Sequence, residues 1–282
     1  MLSVKPGRLN LPSNKSMQIL YLGDIMGAPG IKVVKDLLPK IKAQYAIDLV
    51  IAQSENVSEG RGIFKTDFEN LKSLGIDFFT GGNWSMFRDE TISLLDDPNQ
   101  PIIRPANYPA GTKGLGYKYI KTMFGKVLVI SLLGKIVGRD SEVHVDNPLK
   151  VIDRILESEA NFSKVATVVN FHGDFSSEKL IIGQYLDGRV SAVIGDHWHI
   201  PTADAMVLSN GTAHITDVGM CGSLDSSLGI KTSIAIDRWR DNKIVKNELE
   251  TDGRLQLNGL LIEVDTKTGL SKTVKQLIKF SE

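Results

Sequence analysis

Residues 17–30 read MQILYLGDIMGAPG, and this stretch sets the pattern for much of the chain. The apolar run at 17–22 ends in Gly-Asp, which is typical of a buried strand that runs into a tight turn. In residues 31–43 the apolar side chains recur at helical spacing, so we predict a helix there, kinked or shortened by Pro39. A strand, a polar turn and a helix therefore follow one another at the start of the fold.

The same alternation recurs along the chain and predicts an α/β fold. Predicted strands occupy residues 49–52, 77–80, 165–170 and 190–194, and predicted helices occupy 66–74, 86–95, 148–160 and 177–186. Three hairpins are predicted: 117–120 with 126–132 around Gly125, 206–208 with 213–216 around Asn210-Gly211, and 254–264 with 271–280. This order favours a mixed β-sheet flanked by helices, with residues 17–282 as a single domain and residues 134–147 as an inserted loop.

Composition restricts the function classes. The 33 Lys and Arg residues balance the 33 Asp and Glu residues, so net charge predicts neither a large nucleic-acid surface nor binding to an anionic membrane. Cys221 is the single cysteine, which excludes an internal disulfide and favours a reducing, cytoplasmic compartment. No apolar run approaches the roughly 20 residues of a membrane-spanning helix. Residues 1–16 have no apolar core, and we expect a disordered leader there rather than a signal peptide.

Polar side chains of the ligand type follow the ends of successive predicted strands: Asp24, Glu55, Asn83, His172, His197 and His199. In open α/β sheets the loops at this edge converge on the ligand, so we expect these side chains to lie close together. Imidazole, carboxylate and amide oxygen ligands suit Mn, Fe or Zn. A bridging carboxylate could hold two such ions about 3.5–4 Å apart, which is the spacing of two-metal phosphoryl-transfer sites.

Each of these residues also has a plainer interpretation. Asp24 and Asn83 could be turn residues, Glu55 could lie at a helix N-terminus, and His172 could be a buried core histidine. The pair His197 and His199 is more specific, because i, i+2 spacing puts both rings on one side of an extended chain. We interpret His144 and His214 as structural or surface residues. Residues 27–30, Gly-Ala-Pro-Gly, lack the Gly-Lys-Ser/Thr ending of a phosphate-binding loop.

Five short strings in this order resemble the calcineurin-like metallophosphoesterase superfamily: GD (23–24), SEN (54–56), GGN (81–83), FH (171–172) and GDHWH (195–199). The longer strings LGDIMGAPG, RPANYP, SSEKL, DGRVSAVIG and ITDVGM resemble its bacterial YmdB-like branch, and the likeness covers nearly everything from Met17 onward. The resemblance implies a four-layer fold of mixed sheets and flanking helices, with the site at the carboxyl ends of the strands. It also implies metal-dependent hydrolysis of small phosphodiesters, with cyclic nucleotides foremost, by a hydroxide that bridges two ions.

The resemblance implies a division of the ligands between two divalent ions: Asp24 and His199 on one, Asn83, His172 and His197 on the other, and Glu55 bridging both. Asn56 would contact a metal or the substrate phosphate. The wider superfamily usually has Asp-x-His in the first segment, whereas Ile25 and Met26 follow Asp24 here. The YmdB-like branch shares this departure.

Trp84 is the second departure. The third segment of the family reads Gly-Asn-His, and this chain has Gly-Asn-Trp at residues 82–84. The missing histidine is the expected proton donor to the leaving oxygen, and general acid catalysis contributes roughly 100- to 10,000-fold. An indole donates one hydrogen bond but does not release its proton near neutral pH, so Ser85 or a metal-bound water would have to substitute weakly.

Three alternatives therefore stand beside the hydrolase hypothesis. Loss of the acid with the ligands retained is also typical of a metal- and nucleotide-binding regulator with weak or no hydrolysis. Hydrolysis of monoesters is a variant of the first hypothesis. A metal-dependent amidohydrolase of another fold also uses a His-x-His pair, but at the end of its first strand, whereas the pair follows residue 195 here. The sequence is equally compatible with a homo-oligomer and a monomer, since the periodicity of apolar residues does not distinguish a subunit interface from the hydrophobic core.

Overall fold

Strands and helices alternate along most of the chain in the computed structural model, which describes residues 16–135 and 144–281. The described residues form the helices α1 Gly27–Tyr45, α2 Lys65–Ser73, α3 Asp89–Asp96, α4 Pro148–Ser158, α5 Ser176–Tyr185 and α6 Thr232–Asp241. Their strands are β1 Ser16–Leu22, β2 Asp24–Ile25, β3 Leu49–Gln53, β4 Phe78–Thr80, β5 Tyr117–Thr122, β6 Gly125–Leu133, β7 Ala166–His172, β8 Ala192–Asp196, β9 Met206–Val207, β10 Ala213–Ile215, β11 Met220–Ser223, β12 Leu255–Asp265 and β13 Ser271–Ser281.

The strands form two mixed sheets. In the first sheet the order is β2-β11-β12-β1-β3-β4, with β13 paired to β12, and β1, β3 and β4 run parallel. In the second sheet the order is β5-β6-β7-β8-β10-β9, and its four central strands, β6, β7, β8 and β10, run parallel. β12 lies antiparallel to β1, in a register that pairs Ser16 with Asp265 and Leu22 with Gly259.

Alternating side chains on the strands build three apolar layers. Ile19 and Tyr21 of β1 face the second sheet, where they pack with residues such as Val168 of β7. Leu20 of the same strand faces the opposite way and packs with the buried side of α1. Beyond the second sheet, another apolar cluster joins β6, β7 and β8 to α4 and α5. The expected four layers, helices, sheet, sheet and helices, are confirmed.

Helix α1 differs from the prediction at both its start and its middle. Residues 27–30, expected as a turn, form its first turn, because Pro29 is tolerated where a helix has no internal hydrogen-bond acceptors for its N–H groups. Gly30 permits close packing there: a Cβ on it would lie 2.5 Å from the carbonyl oxygen of Cys221. The helix also continues through Pro39 to Tyr45. Pro39 is exposed, so the carbonyl it leaves unpaired can bind water, while Leu38 and Ile41 hold the helix on the sheet.

All three predicted hairpins are confirmed by antiparallel pairing of β5 with β6, β9 with β10, and β12 with β13. The predicted helix at 86–95 begins later, at Asp89. The short strands β2 and β11 and helix α6 were not predicted. The leader expected at residues 1–16 lies outside the described residues except for Ser16, which begins β1. Much of the expected inserted loop, residues 136–143, also lies outside them. Among the described residues, none of the helices combines the length and apolar character required to cross a bilayer.

Candidate metal centre

The carboxyl ends of both sheets meet at one place in the molecule. Strands β1, β3 and β4 of the first sheet are followed by Asp24, Glu55 and Asn83. In the second sheet, β7 ends with His172, and β8 is followed by His197 and His199. The six residues predicted from the sequence therefore come half from each sheet. Asp24 begins the short strand β2 and His172 is still within β7, so these two lie in strands rather than in loops.

Two of these side chains place an oxygen beside a ring nitrogen of a third. His172 Nε2 lies 2.9 Å from Glu55 Oε1 and 3.0 Å from Asn83 Oδ1. The ring of His197 packs edge-on against the ring of His172, with 4.4 Å between centroids. Ligand atoms of Glu55, His172 and His197 all lie within 4.8 Å of one another. This is an arrangement from which one small cation could take several ligands at once.

His197 and His199 lie on different sides of the centre. His199 Nε2 is 3.9 Å from Asp24 Oδ1, and its Nδ1 is 3.0 Å from the carbonyl oxygen of Leu228. The expectation of two rings on one side of an extended chain is wrong, because the backbone bends here: φ is +105° at His197 and +63° at His199. Positive φ is strained for residues other than glycine and clusters at functional sites. The bend brings His199 to Asp24 and His197 to Glu55 and His172.

Asp196 organises the buried side of the centre and was missed as a functional residue. Its Oδ1 lies 2.7 Å from His172 Nδ1, and its Oδ2 accepts hydrogen bonds from Tyr21, Gln53 and Asn170 at 2.6 to 3.1 Å. A carboxylate on one ring nitrogen directs the other toward the ligand position, as in many histidine metal sites. The signal in the sequence was an aspartate inside an otherwise apolar strand, in the string GDHWH.

Buried atoms without partners show that the site fits a cation. Among the described residues, four buried side-chain polar atoms have no hydrogen-bond partner, and Asp24 Oδ1 and Asn56 Oδ1 are two of them. Burial, together with the neighbouring Asp196 carboxylate, raises the pKa of Asp24 well above its usual value. A divalent ion would favour the ionised form and supply the missing partner. With imidazole, carboxylate and amide oxygens available, Mn, Fe and Zn all suit the donor set.

The electrostatics of His172 follow from its two carboxylate neighbours. Burial alone would lower the pKa of His172, but Glu55 and Asp196 raise it well above the usual value. Burial would likewise raise the pKa of Glu55, and the nearby His172 lowers it. His199 is different, since burial lowers its pKa to about 4 and keeps it neutral, the form that binds metal.

A cavity of about 460 Å³ opens directly on the centre. Glu55, His197 and His199 line it together with the apolar side chains of Trp84, Trp198 and Leu228. Its size lies in the ordinary range for small-molecule sites. A polar end beside the ligand cluster and apolar walls around it suit a compact anion that carries an organic group.

Asn56 and Trp84 both line this cavity. Asn56 Nδ2 donates to the carbonyl oxygen of Gly60 at 2.9 Å, so its free oxygen favours contact with a cation over donation to a phosphate. The backbone N–H of Trp84 donates to Glu55 Oε2 at 2.9 Å, and the Arg61 guanidinium stacks 4.3 Å from the centre of its ring. Trp84 thus supports the bridging candidate Glu55 through its backbone, whatever its side chain does.

Ser85, His214 and His144 are not among the residues that line the cavity. Ser85 is buried, and its hydroxyl donates to the carbonyl oxygen of Gly82 at 2.8 Å, which speaks against Ser85 as a substitute acid. His214 is buried beside Val193, and His144 is exposed, in agreement with the interpretation of both as structural or surface residues. Asp174 was missed: its Oδ1 lies 3.3 Å from His197 Nε2, and it lines the cavity.

Comparison with known proteins agrees with the geometry. The model of the YmdB-like protein family matches residues 20–277. The chain belongs to the YmdB-like family. A Bacillus subtilis (strain 168) relative named 2′,3′-cyclic-nucleotide 2′-phosphodiesterase is 36% identical over 263 residues, covering 93% of this chain and 97% of the relative.

Two solved structures share the YmdB-like fold seen here. A crystal structure titled as a novel phosphatase from Mycoplasma pneumoniae has a TM-score of 0.87 and 28% identity, covering 94% of both chains. A hypothetical protein from Thermus thermophilus has a TM-score of 0.84 and 31% identity, covering 94% of this chain and 100% of that one. The family predicted from the short strings is thereby confirmed, and the alternative of an amidohydrolase of another fold is wrong.

Proposed function

We propose that this chain is a metal-dependent phosphodiesterase that hydrolyses small phosphodiesters, foremost cyclic nucleotides, with two divalent ions in the centre described above. One observation carries the proposal: six ligand-type side chains from two sheets converge beside a cavity. The activity printed in the name of the Bacillus subtilis relative supports the substrate class.

The proposed ligands fall into two groups that share Glu55: Asp24 and His199 for one ion, and Asn83, His172 and His197 for the other. The proximity of His199 to Asp24 and of His172 to Asn83 supports this division. When bound, such ions acidify water and neutralise the charge that develops on phosphoryl oxygens. Asp196 keeps the Nε2 atom of His172 directed at Asn83 and Glu55 through its contact with Nδ1.

Protonation of the leaving oxygen is the weak point of the proposed site. The indole of Trp84 lies on the cavity wall but cannot release a proton near neutral pH. We therefore propose reduced turnover of substrates with poor leaving groups, and near-normal turnover of activated ones. A regulator that binds metal and nucleotide without hydrolysis is not favoured, because the relatives with functional names are a phosphodiesterase and a phosphatase.

Metal analysis of the purified protein, combined with a screen of cyclic and linear phosphodiesters in the presence of Mn²⁺, tests the proposal. We expect about two metal equivalents per chain and hydrolysis of at least one diester class. Asp24→Asn should lose one of the two metal equivalents and the hydrolysis, whereas His214→Gln, a change at a buried histidine outside the centre, should retain both equivalents and the hydrolysis. Two equivalents without hydrolysis of any diester would support the regulator, and no bound metal would contradict the proposed centre.

The compartment and the oligomeric state stay predictions. We propose a cytoplasmic enzyme, on the basis of the single cysteine.

A further inference from the structure

Lys179 and Asp217 form a buried ion pair behind the His-x-His segment. Lys179 lies on α5, Asp217 follows β10, and neither side chain is accessible to solvent. Lys179 Nζ is 2.7 Å from Asp217 Oδ2. Lysine is almost never buried completely, and neither residue belongs to the ligand set or to the cavity lining. The pair therefore needs an explanation outside the proposed chemistry.

Contacts of the pair converge on residues 196–198, which run from the last residue of β8 to the residue before His199. Lys179 Nζ donates to the carbonyl oxygen of Asp196 at 2.7 Å, and Asp217 Oδ2 accepts from the backbone N–H of Trp198 at 2.8 Å. The ammonium group also lies 4.1 Å from the centre of the Trp198 ring. Trp198 Nε1 donates to the carbonyl oxygen of Asp174 at 3.0 Å. The residue between the two histidines is thus held through its backbone, its ring face and its ring nitrogen.

This arrangement coincides with the backbone strain in the centre. His197 and His199, on either side of Trp198, both have positive φ, and such conformations persist only where the surroundings over-determine them. A buried ion pair is weak evidence for stability, because desolvation of both charges offsets much of their attraction. Lys179 and Asp217 both form hydrogen bonds with the backbone of this strained segment, so we expect the pair to affect the geometry of the segment.

We propose that Lys179 and Asp217 are positioning residues that hold Trp198, and with it His197 and His199, in the geometry that binds metal. The inference rests on the proposed metal centre and extends it to a pair outside both the ligand set and the cavity lining. Removal of the pair relaxes the bend at 197–199 and separates His199 from Asp24 and His197 from Glu55. The expected consequence is weaker metal binding in a protein that is still folded.

Isothermal titration calorimetry tests the inference. Mn²⁺ is added to the metal-free full chain at a temperature well below its melting temperature. We expect Lys179→Met to weaken Mn²⁺ binding roughly 10- to 100-fold, the usual effect of losing a supporting contact around a metal site. Lys118→Met is the matched control, since Lys118 also donates to two backbone carbonyls, those of Asp97 and Gln100. Lys118 is neither a ligand candidate nor part of the cavity lining. It should leave the affinity unchanged within about twofold.

A double variant separates positioning from stability. Lys179→Met with Asp217→Leu leaves no unpaired buried charge, so it should fold even where a single variant does not, yet it lacks the bonds to Asp196 and Trp198. We expect it to retain weak Mn²⁺ binding. A second readout is the ¹⁹F spectrum of protein labelled with 5-fluorotryptophan, in which the Trp198 signal, assigned with Trp198→Phe, should shift and broaden in metal-free Lys179→Met protein.

Three results would overturn the inference, in distinguishable ways. Wild-type Mn²⁺ affinity in the double variant would show that the pair does not position the ligands. An unchanged Trp198 resonance in metal-free Lys179→Met protein would show that the pair does not hold Trp198. Absence of Mn²⁺, Fe²⁺ and Zn²⁺ binding by the wild-type chain would overturn the proposed centre itself, and the inference with it.

Discussion

Trp84 contacts Arg61 through its indole ring and Glu55 through its backbone amide. The backbone contact survives any substitution that keeps the chain path, so the bridging candidate keeps its hydrogen bond. In the proposed mechanism, the side chain would determine whether this position can supply a proton to the leaving oxygen. Metal binding and leaving-group protonation are therefore separable at this residue.

Replacing Trp84 by His should restore a proton donor on the cavity wall. We expect turnover of a cyclic nucleotide to rise at least about 100-fold relative to turnover of bis(p-nitrophenyl) phosphate, whose leaving group needs no acid. Steady-state rates on both substrates give this ratio. Trp84→Phe, which adds no acid, is the control and should leave the ratio unchanged. Equal ratios in the wild type and in Trp84→His would contradict the role given to this position.

Cys221 gives a prediction about reactivity. Burial raises the pKa of its thiol to about 12, so the neutral form persists at all ordinary pH values. At pH 8 the thiolate fraction should be roughly a thousandfold lower than for an exposed cysteine, and burial blocks the reagent as well. A thiol-reactive dye should therefore label the native chain very slowly and the chain in guanidinium chloride completely. Fast labelling of native protein would contradict this, and the signal is unambiguous because the sequence has one cysteine.

At the scale of elements, α1 shows how burial overrides local propensity. Pro39 lacks the N–H that an interior helical residue donates, yet the helix runs on because its buried face packs on the first sheet. We expect Pro39→Ala to raise the free energy of unfolding by about 1–3 kcal/mol, less than the full cost of an interior proline because the unfolded chain also gains freedom. Chemical denaturation measures the difference. Lys40→Ala, at the next exposed position, should change it by less than about 0.5 kcal/mol, and a loss of stability in Pro39→Ala would contradict the explanation.

Elements with a strong period or a strong turn could be predicted from the sequence, and weaker ones could not. The apolar runs of β3 and β7 and the Asn210-Gly211 turn each carry a local signal. Strand β11 reads MCGS and exists because β2 and β12 pair with it, which no local pattern reveals. Helix α6 has no side-chain cap at its N-terminus. Its apolar residues do not mark one buried face, since Ile234 is buried but Trp239 is 90% exposed.

At the scale of the whole molecule, the residues of the centre also differ in how well they could be predicted from the sequence. The six ligand candidates could be predicted because each lies at or shortly after the end of a predicted strand in its own segment. The contacts of Asp196 and the pairing of Lys179 with Asp217 could not be predicted, because they cross from one element to another far along the chain. The hydrogen bond from Tyr21 of the first sheet to Asp196 of the second, at 2.8 Å, exists only after the sheets have packed.

Metal binding should stabilise the whole molecule, since the ligands join the two sheets. A ligand at 100 times its Kd stabilises the folded state by about 2.7 kcal/mol, so Mn²⁺ should raise the melting temperature and a chelator should lower it. Thermal unfolding followed by circular dichroism measures both effects. Asn83→Ala should reduce the rise, whereas Asn99→Ala, an exposed position in the loop after α3, should not. An equal melting temperature with Mn²⁺ and with chelator would contradict a centre shared by the sheets.

The position of β12 has a consequence for biosynthesis. This strand comes late in the chain, yet it lies between β1 and β11 in the first sheet, and the carbonyl of its Asn258 accepts from the N–H of Gly23, next to Asp24. Once residues 16–223 have left the ribosome, all six ligand candidates have been synthesised, but β1, the strand that leads to Asp24, is paired only with β3 and still lacks β12 on its other side. We therefore expect Asp24 to reach its native position only after residues 255–265 have emerged, so that the proposed centre would be completed at the end of synthesis.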